Sequence, residues 1–365
     1  MPAPSFRNRL SSLWLIPFAA LLSGCEAVVM SPSGDIAMQQ RDLIVVSTVL
    51  MLLIVLPVMA LTGFFAWRYR QSNTQATYDP EWHHSTQLEL VIWSAPLLII
   101  IALGAVTWIS THTLDPYRKL DRIDAQRPVS ADVQPLKVQV VAMDWKWLFI
   151  YPDYGVASVN ELAAPVDVPI EFEITASTVM NSFFIPALAG QIYAMPAMQT
   201  KLHAVINKPG DYEGFSANYS GAGFSHMRFT FKGLSGGEFD QWIAKVKTAP
   251  GALGRAEYLA LEKPSEREPV RHYGQVMAGL FDAAVNLCVE PSKMCMRDMM
   301  AIDAQGGLGL ANNYNVARLS YDAPRRRGVD SLPPDQYVTA LCAVQPETMI
   351  SPATLPSYGF GRLAP

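Results

Sequence analysis

Few residues in this sequence have the types and spacing that chemistry requires. The segment MCMRDMM at 294–300 groups four Met and one Cys, soft donors that could bind Cu(I), although methionine clusters more often pack at interfaces. His83 and His84 stand beside Glu81 without a third spaced ligand, which favours solvation or contact with another subunit. No nucleophile–base pair, phosphate-binding loop or zinc motif is visible in the sequence. We therefore expect the chain to perform no bond chemistry itself.

The segment FSANYSGAGFSHM at 215–227 has the rhythm of a ligand loop. Small and turn-forming residues run between two strand-like segments, and Met227 closes the loop. Ser216 and Ser220 supply hydroxyls, which with one thioether do not make a copper site. Gly221 and Gly223 predict a tight backbone turn. The segment therefore keeps the form of a metal loop but lacks the ligands of one.

Two uncharged apolar segments, 43–67 and 90–111, must position whatever this chain contributes. Each exceeds the ~20 residues that a helix needs to cross a bilayer. A third apolar segment lies within 1–24 and has the pattern of an export signal. It ends in Leu22-Ser23-Gly24-Cys25, which is typical of a bacterial lipobox and predicts lipidation of Cys25. The alternative is an ordinary signal followed by a lone cysteine.

The export signal fixes the orientation of this transmembrane hairpin, residues 25–112. Residue 25 lies outside, so the first span runs inward and the second outward. Arg68 and Arg70 open the short inner loop, as the positive-inside rule requires. Glu89 then lies at the cytoplasmic end of the second span, where a carboxylate can collect protons. An ordinary interfacial glutamate is the alternative interpretation.

An external region follows, and its pattern changes to short strands over 113–235, with turn signals such as KPGDYEG between them. This predicts an all-β sandwich or barrel. Trp145 and Trp147 alternate on one strand, which favours packing or contact with another subunit. Apolar residues at helical spacing begin a helical extension over 236–305: Phe239, Trp242, Ile243 and Val246. Further helices are expected near 253–262 and 275–287, and an irregular tail over 306–365.

Three cysteines remain besides Cys25. One disulfide is expected in an oxidising compartment, either Cys288 with Cys295 or one of these with Cys342. The net charge of −4 argues against a nucleic-acid partner, which a basic face would bind.

The segments VMNSFFIPALAGQIYAMPAM (179–198) and SANYSGAGFSHM (216–227) resemble the cupredoxin domain of subunit II of the haem-copper oxidases. In the cytochrome c oxidase branch these segments hold a dinuclear copper centre with two Cys, two His, Glu and Met. Gly221 matches that pattern. The residues of this chain at the ligand positions are Asn181, Ser216, Asn218, Ser220, Phe224 and Met227. The loss of both thiolates and both imidazoles points to the branch without this centre, the cytochrome bo-type ubiquinol oxidases.

The resemblance covers about 20–290 and includes MDWKWLFIYPDYG. It implies a two-helix transmembrane hairpin followed by an extracytoplasmic cupredoxin-like sandwich with a helical extension. It also implies a subunit of a proton-pumping ubiquinol oxidase in the bacterial inner membrane, a multi-pass lipoprotein with its C-terminal domain in the periplasm.

The same resemblance places the haems and copper in subunit I, with no cofactor or metal in this chain and no contact with cytochrome c. Subunits III and IV are expected as further partners. It also matches Glu89 to the mouth of a proton-uptake channel. Two alternatives are a copper-containing cytochrome c oxidase subunit II and a lipid-anchored copper-binding accessory protein that uses residues 294–300.

Overall fold

A computed structural model describes residues 28–304 except 78, 80 and 131. The predictions for Cys25, Cys342 and the 306–365 tail lie outside the described residues. Two long helices come first, α1 (Asp35–Arg68) and α2 (Thr86–Thr113). Both contain an apolar window of membrane-spanning length with no buried residue. Their apolar surfaces therefore require a bilayer, and the prediction of two spans agrees with them.

Helix α1 begins eight residues before its predicted span, in the polar segment DIAMQQRD. These turns are helical because they rest on the β-sandwich. The amides of Ser33 and Gly34 donate to the carbonyl of Ala187 at 2.9 and 2.8 Å, and the amide of Asn207 donates to the carbonyl of Ser33 at 2.9 Å. A Cβ on Gly34 would lie 2.6 Å from the carbonyl oxygen of Leu188, so no side chain fits at this joint.

The sandwich contains two mixed sheets, one of six strands and one of five, in the described part of the chain. The strands are β1 (Leu136–Met143), β2 (Lys146–Tyr151), β3 (Val156–Val159), β4 (Glu161–Pro165), β5 (Ile170–Ala176), β6 (Asn181–Phe184), β7 (Ile192–Ala194), β8 (Thr200–Ala204), β9 (Gly210–Ser216) and β10 (Arg228–Leu234). The smaller sheet runs β4-β10-β9-β6-β7, and β1–β5 and β4–β10 are parallel pairs. The predicted two-helix hairpin with an all-β sandwich is confirmed.

The extension adds both helices and strands, and a third sheet of two strands. Its elements are α3 (Gly236–Lys247), β11 (Ala252–Leu253), α4 (Arg255–Glu262), β12 (Arg271–Tyr273), β13 (Gln275–Val276), α5 (Leu280–Val285) and α6 (Met296–Ala304). The larger sheet therefore runs β12-β3-β2-β1-β5-β8. Strands of two or three residues show no period, which explains why the sequence indicated only helices here. The helix predicted over 275–287 is short because 275–276 pairs with β11.

The larger sheet is buried on both faces. One face packs against the second sheet, with the four predicted apolar residues of α3 in the same core. The other face carries a second core, where Val141, Leu148 and Ile150 meet α4 and α5. Strand β2 is consequently buried at every position, as in a sheet covered on both sides.

Two buried polar groups hold the extension to the sandwich. Lys146, 1% exposed, donates from Nζ to the carbonyls of Asp144, Leu261 and Lys263 at 3.0, 2.6 and 2.8 Å. Glu161 accepts from Trp242 Nε1 at 2.8 Å and pairs with Lys232 and His272 at 2.9 Å each. Cys288 and Cys295 form a disulfide, which agrees with one of the two expected pairings.

Candidate functional site

The segments that resemble a copper site come together at one end of the smaller sheet. Asn181 begins β6 and Ser216 ends β9, and these antiparallel strands pair Phe183 with Ser216. A short 3-10 turn, Phe224–His226, leads from the loop to Met227 and β10. The fold thus brings Asn181, Ser216 and Met227 together, although they are distant in sequence.

A hydrogen-bonded network of amides and a hydroxyl joins these positions. The Ser216 hydroxyl lies 3.1 Å from Asn181 Oδ1 and 3.2 Å from the carbonyl of Asn218. The backbone amide of Ser182 donates to Ser216 Oγ at 3.4 Å. The Asn218 amide donates to the carbonyl of Met180 at 3.2 Å. Asn181 and Ser216 are buried, and their polar atoms bind protein groups to each other.

The remaining positions are occupied by packing rather than by ligands. Met227 is 1% exposed and belongs to the core between the sheets. Phe224 packs edge-on against Tyr219, with ring centroids 5.7 Å apart. Among the described residues, no three His, Cys, Asp or Glu side chains group as a metal site. The donors present are hydroxyls, amides and one thioether, and they do not fit a dinuclear copper centre, which needs thiolates and imidazoles.

Trp145 closes the loop from the other side. It lies in the turn before β2 rather than on the strand that the alternation predicted, while Trp147 is fully buried in β2. The Trp145 indole N–H donates to the carbonyl of Ser220 at 2.9 Å. Packing is therefore the observed role of both side chains, as expected.

The two glycines of this loop have different reasons. Gly221 has φ of +116°, a left-handed conformation that favours glycine. Gly223 has an ordinary φ of −87°, so the predicted need for backbone freedom is wrong there. A Cβ on Gly223 would instead lie 2.5 Å from Trp145 Cδ2 and Cε3. Its missing side chain makes room for the indole.

Glu89 lies in the first turn of α2, at the end of the spans away from the sandwich. Its Oε1 is 2.8 Å from His84 Nδ1, and His84 Nε2 is 3.2 Å from Thr86 Oγ1. Both side chains are about half exposed. Sequence reasoning left His84 as a solvated or subunit-contact residue and missed this pairing. The signal was its position five residues before Glu89, across the residue that precedes α2.

The methionine-rich segment forms α6, which buries none of its residues in the described chain. Met300 is 65% exposed. Cys295 is tied in its disulfide and provides no thiolate. Only the thioethers of this segment remain as soft donors.

Comparison with known proteins supplies the context of these features. The family model for the periplasmic domain of cytochrome c oxidase subunit II matches residues 156–234, and the model for the COX aromatic-rich motif matches 247–292. Cytochrome bo(3) ubiquinol oxidase subunit 2 of Pseudomonas putida is 50% identical over 274 residues, 74% of this chain and 84% of that protein.

Two further relatives agree with it. Cytochrome bo(3) ubiquinol oxidase subunit 2 of Pseudomonas aeruginosa is 51% identical over 263 residues, 72% of this chain and 77% of that protein. Ubiquinol oxidase subunit 2 of Acetobacter aceti is 48% identical over 277 residues, 76% of this chain and 88% of that protein. All three carry the name of the second subunit of a ubiquinol oxidase.

Proposed function

Because this chain belongs to the family of ubiquinol oxidase subunits 2, we propose that it serves a membrane complex that oxidises ubiquinol, reduces dioxygen to water and pumps protons. The chain anchors its sandwich through two spans and joins the catalytic subunit I. Subunit I holds the haems and the copper of the oxygen site. Subunits III and IV complete the assembly.

One observation carries the distinction from a cytochrome c oxidase. Where a copper relay needs thiolates and imidazoles, the chain has a closed hydrogen-bonded network around the Ser216 hydroxyl and Asn181 Oδ1, 3.1 Å apart. Electrons therefore reach subunit I from quinol in the membrane and not from a soluble protein through this domain.

Metal analysis tests this conclusion. The subunit separated from the purified complex is expected to contain no copper after dialysis. Copper at the 181–227 segments would overturn it. Copper confined to residues 294–300 would favour the alternative of a copper-binding accessory protein, whose remaining donors are the thioethers of α6.

We also propose that Glu89 takes up protons for the complex. Its place in the first turn of α2 puts a carboxylate at the cytoplasmic boundary of the membrane, and the His84 ring at 2.8 Å adds a second proton-exchanging group. The positive loop between the spans and the export signal support this orientation. Lipidation of Cys25 would hold the mature N-terminus at the opposite, periplasmic surface.

Glu89→Gln in the assembled oxidase tests the proton role. The amide keeps the size of the side chain but exchanges no proton, so oxidase turnover and proton uptake are expected to fall together. Glu81→Gln, a change of another exposed carboxylate in the same loop, is the matched control and should leave both rates unchanged.

The haem spectrum checks that each variant is assembled. Wild-type turnover and proton uptake in Glu89→Gln would refute the role of Glu89 while leaving the identity of the subunit intact.

A further inference from the structure

A polar cavity of about 280 Å³ lies where the sandwich ends of both spans meet the sandwich. The first residues of α1 form one wall, and the segment that follows Thr113 at the end of α2 forms another. Gln191 and His203 of the sandwich complete the lining. In the proposed orientation this junction lies at the level of the outer lipid headgroups.

The walls of the cavity are held in place by direct contacts. Arg122 donates from Nε and Nη2 to the two carboxylate oxygens of Asp35 at 2.9 and 3.1 Å. Asp35 is 2% exposed and also accepts from Gln39 Nε2 at 2.7 Å. His203 ties the segment after α2 to the sandwich, because its Nδ1 lies 3.1 Å from the carbonyl of Pro116. The cavity is therefore preformed, as ligand sites usually are.

His203 brings an unpaired polar atom to this site. The residue is 7% exposed, and its Nε2 has no hydrogen-bond partner among the described residues. The nearest charged atom is Glu171 Oε1 at 4.0 Å. With Nδ1–H donating to Pro116, the neutral ring presents Nε2 as an acceptor. A buried acceptor without a donor is costly, so a ligand with N–H groups would stabilise the site.

The charges of the lining balance. Three cations and three anions line it: Arg118, Lys119, Arg122, Asp35, Asp115 and Asp121. Arg118 pairs with Asp121 at 2.6 Å, and Arg122 pairs with Asp35. Within the described chain Lys119 makes no ion pair, and the Asp115 carboxylate accepts only the amide of Tyr117, at 2.9 Å. One cation and one anion thus remain for a ligand, which favours a molecule that carries both charges.

We propose that this cavity binds the headgroup of an outer-leaflet zwitterionic phospholipid with a phosphodiester and a primary ammonium. Lys119 binds the phosphate, while Asp115 and His203 Nε2 accept from the ammonium. Since a water occupies about 30 Å³ of liquid, the cavity has room for about nine waters and so for a headgroup of similar atom count. Trp108 and Ile109 at the same end of α2, 71% and 60% exposed, offer apolar surface to the acyl chains.

Lipid retention by the purified oxidase complex tests this site. The complex is exchanged into detergent, and native mass spectrometry counts the phospholipids that stay bound. Lys119→Glu is expected to retain one zwitterionic phospholipid fewer than the wild type. Lys245→Glu, a charge reversal on the exposed face of α3, should retain the wild-type number.

Further arms identify the ligand. Lys119→Gln and Asp115→Asn remove one charge without adding repulsion, and they keep the test decisive if charge reversal prevents assembly, which the haem spectrum reports. Excess inorganic phosphate should not displace the lipid, because a free ion has neither the ammonium nor the acyl chains. Equal retention in the wild type and all Lys119 and Asp115 variants would overturn the proposal. So would displacement by phosphate, or retention of an anionic lipid or a quinone in its place.

Discussion

Gly223→Ala tests the structural account of the vestigial ligand loop. The new Cβ would lie 2.5 Å from two carbons of the Trp145 ring and 2.7 Å from Glu266 Cγ, whereas ordinary contacts begin at 3.4 Å. The ring must therefore move by about 1 Å. It cannot move toward Gly221, because the space that a Cβ would take there already approaches the indole to 3.0 Å. Movement also stretches the 2.9 Å hydrogen bond from Trp145 to the carbonyl of Ser220.

The magnitude follows from these two effects. Overpacking costs about 1–3 kcal/mol, and the hydrogen bond contributes about 1 kcal/mol. The expected loss in the free energy of unfolding is therefore roughly 2–4 kcal/mol, which lowers Tm by roughly 4–16 °C for a domain of this size. Tryptophan fluorescence during thermal unfolding of the purified chain in detergent measures both the Tm and the environment of Trp145.

Gly237→Ala is the matched control. This glycine lies in the first turn of α3 with no atom within 4 Å of a Cβ, so alanine should preserve or slightly raise the Tm. The reasoning fails if Gly223→Ala unfolds at the wild-type temperature. It also fails if both variants lose the same stability, since the close approach of Trp145 would then not be the cause.

Two further predictions concern the ties between the extension and the sandwich. Burial raises the pKa of Glu161, but its three hydrogen-bond donors outweigh burial and leave the pKa below the ordinary value of 4.5. This stabilisation is present above pH 4.5 and is lost as the pH falls through the lowered pKa, so Glu161→Gln should cost about 2 kcal/mol at pH 7 and less at pH 4. Urea unfolding at both pH values measures this, and an equal loss at both would contradict it. Lys146→Met leaves the carbonyls of Leu261 and Lys263 without their buried donor, which should cost about 2–4 kcal/mol; an unchanged urea midpoint would show that water or local rearrangement replaces the ammonium.

The sequence predicted what depends on local pattern. The two spans, the sandwich and the α3 stripe all follow from runs or periods of apolar residues, and they are present. The strands β3, β4, β6, β7 and β9 went unrecognised, because short strands buried on both faces lack alternation.

The candidate site depended more on contacts between distant parts of the chain. The resemblance identified Asn181 and Ser216 as positions of lost ligands, but their mutual hydrogen bond arises from the pairing of β6 with β9. The reason for Gly223 lies in Trp145, far away in sequence, and no turn rule contains it. His84 was within reach of inspection, but its contact with Glu89 depends on where α2 begins.

The joint between α1 and the sandwich has a consequence for the order in which the molecule is made. Ser33 and Gly34 emerge before either span, yet their hydrogen-bond partners include Ala187 and Asn207. The second span must insert and the chain through Asn207 must cross the membrane before this joint can close. Until then the outer end of the first span has no fixed tilt. Membrane insertion of the hairpin is therefore completed by the folding of the exported domain, and a defect in the sandwich would also be a defect in the placement of the spans.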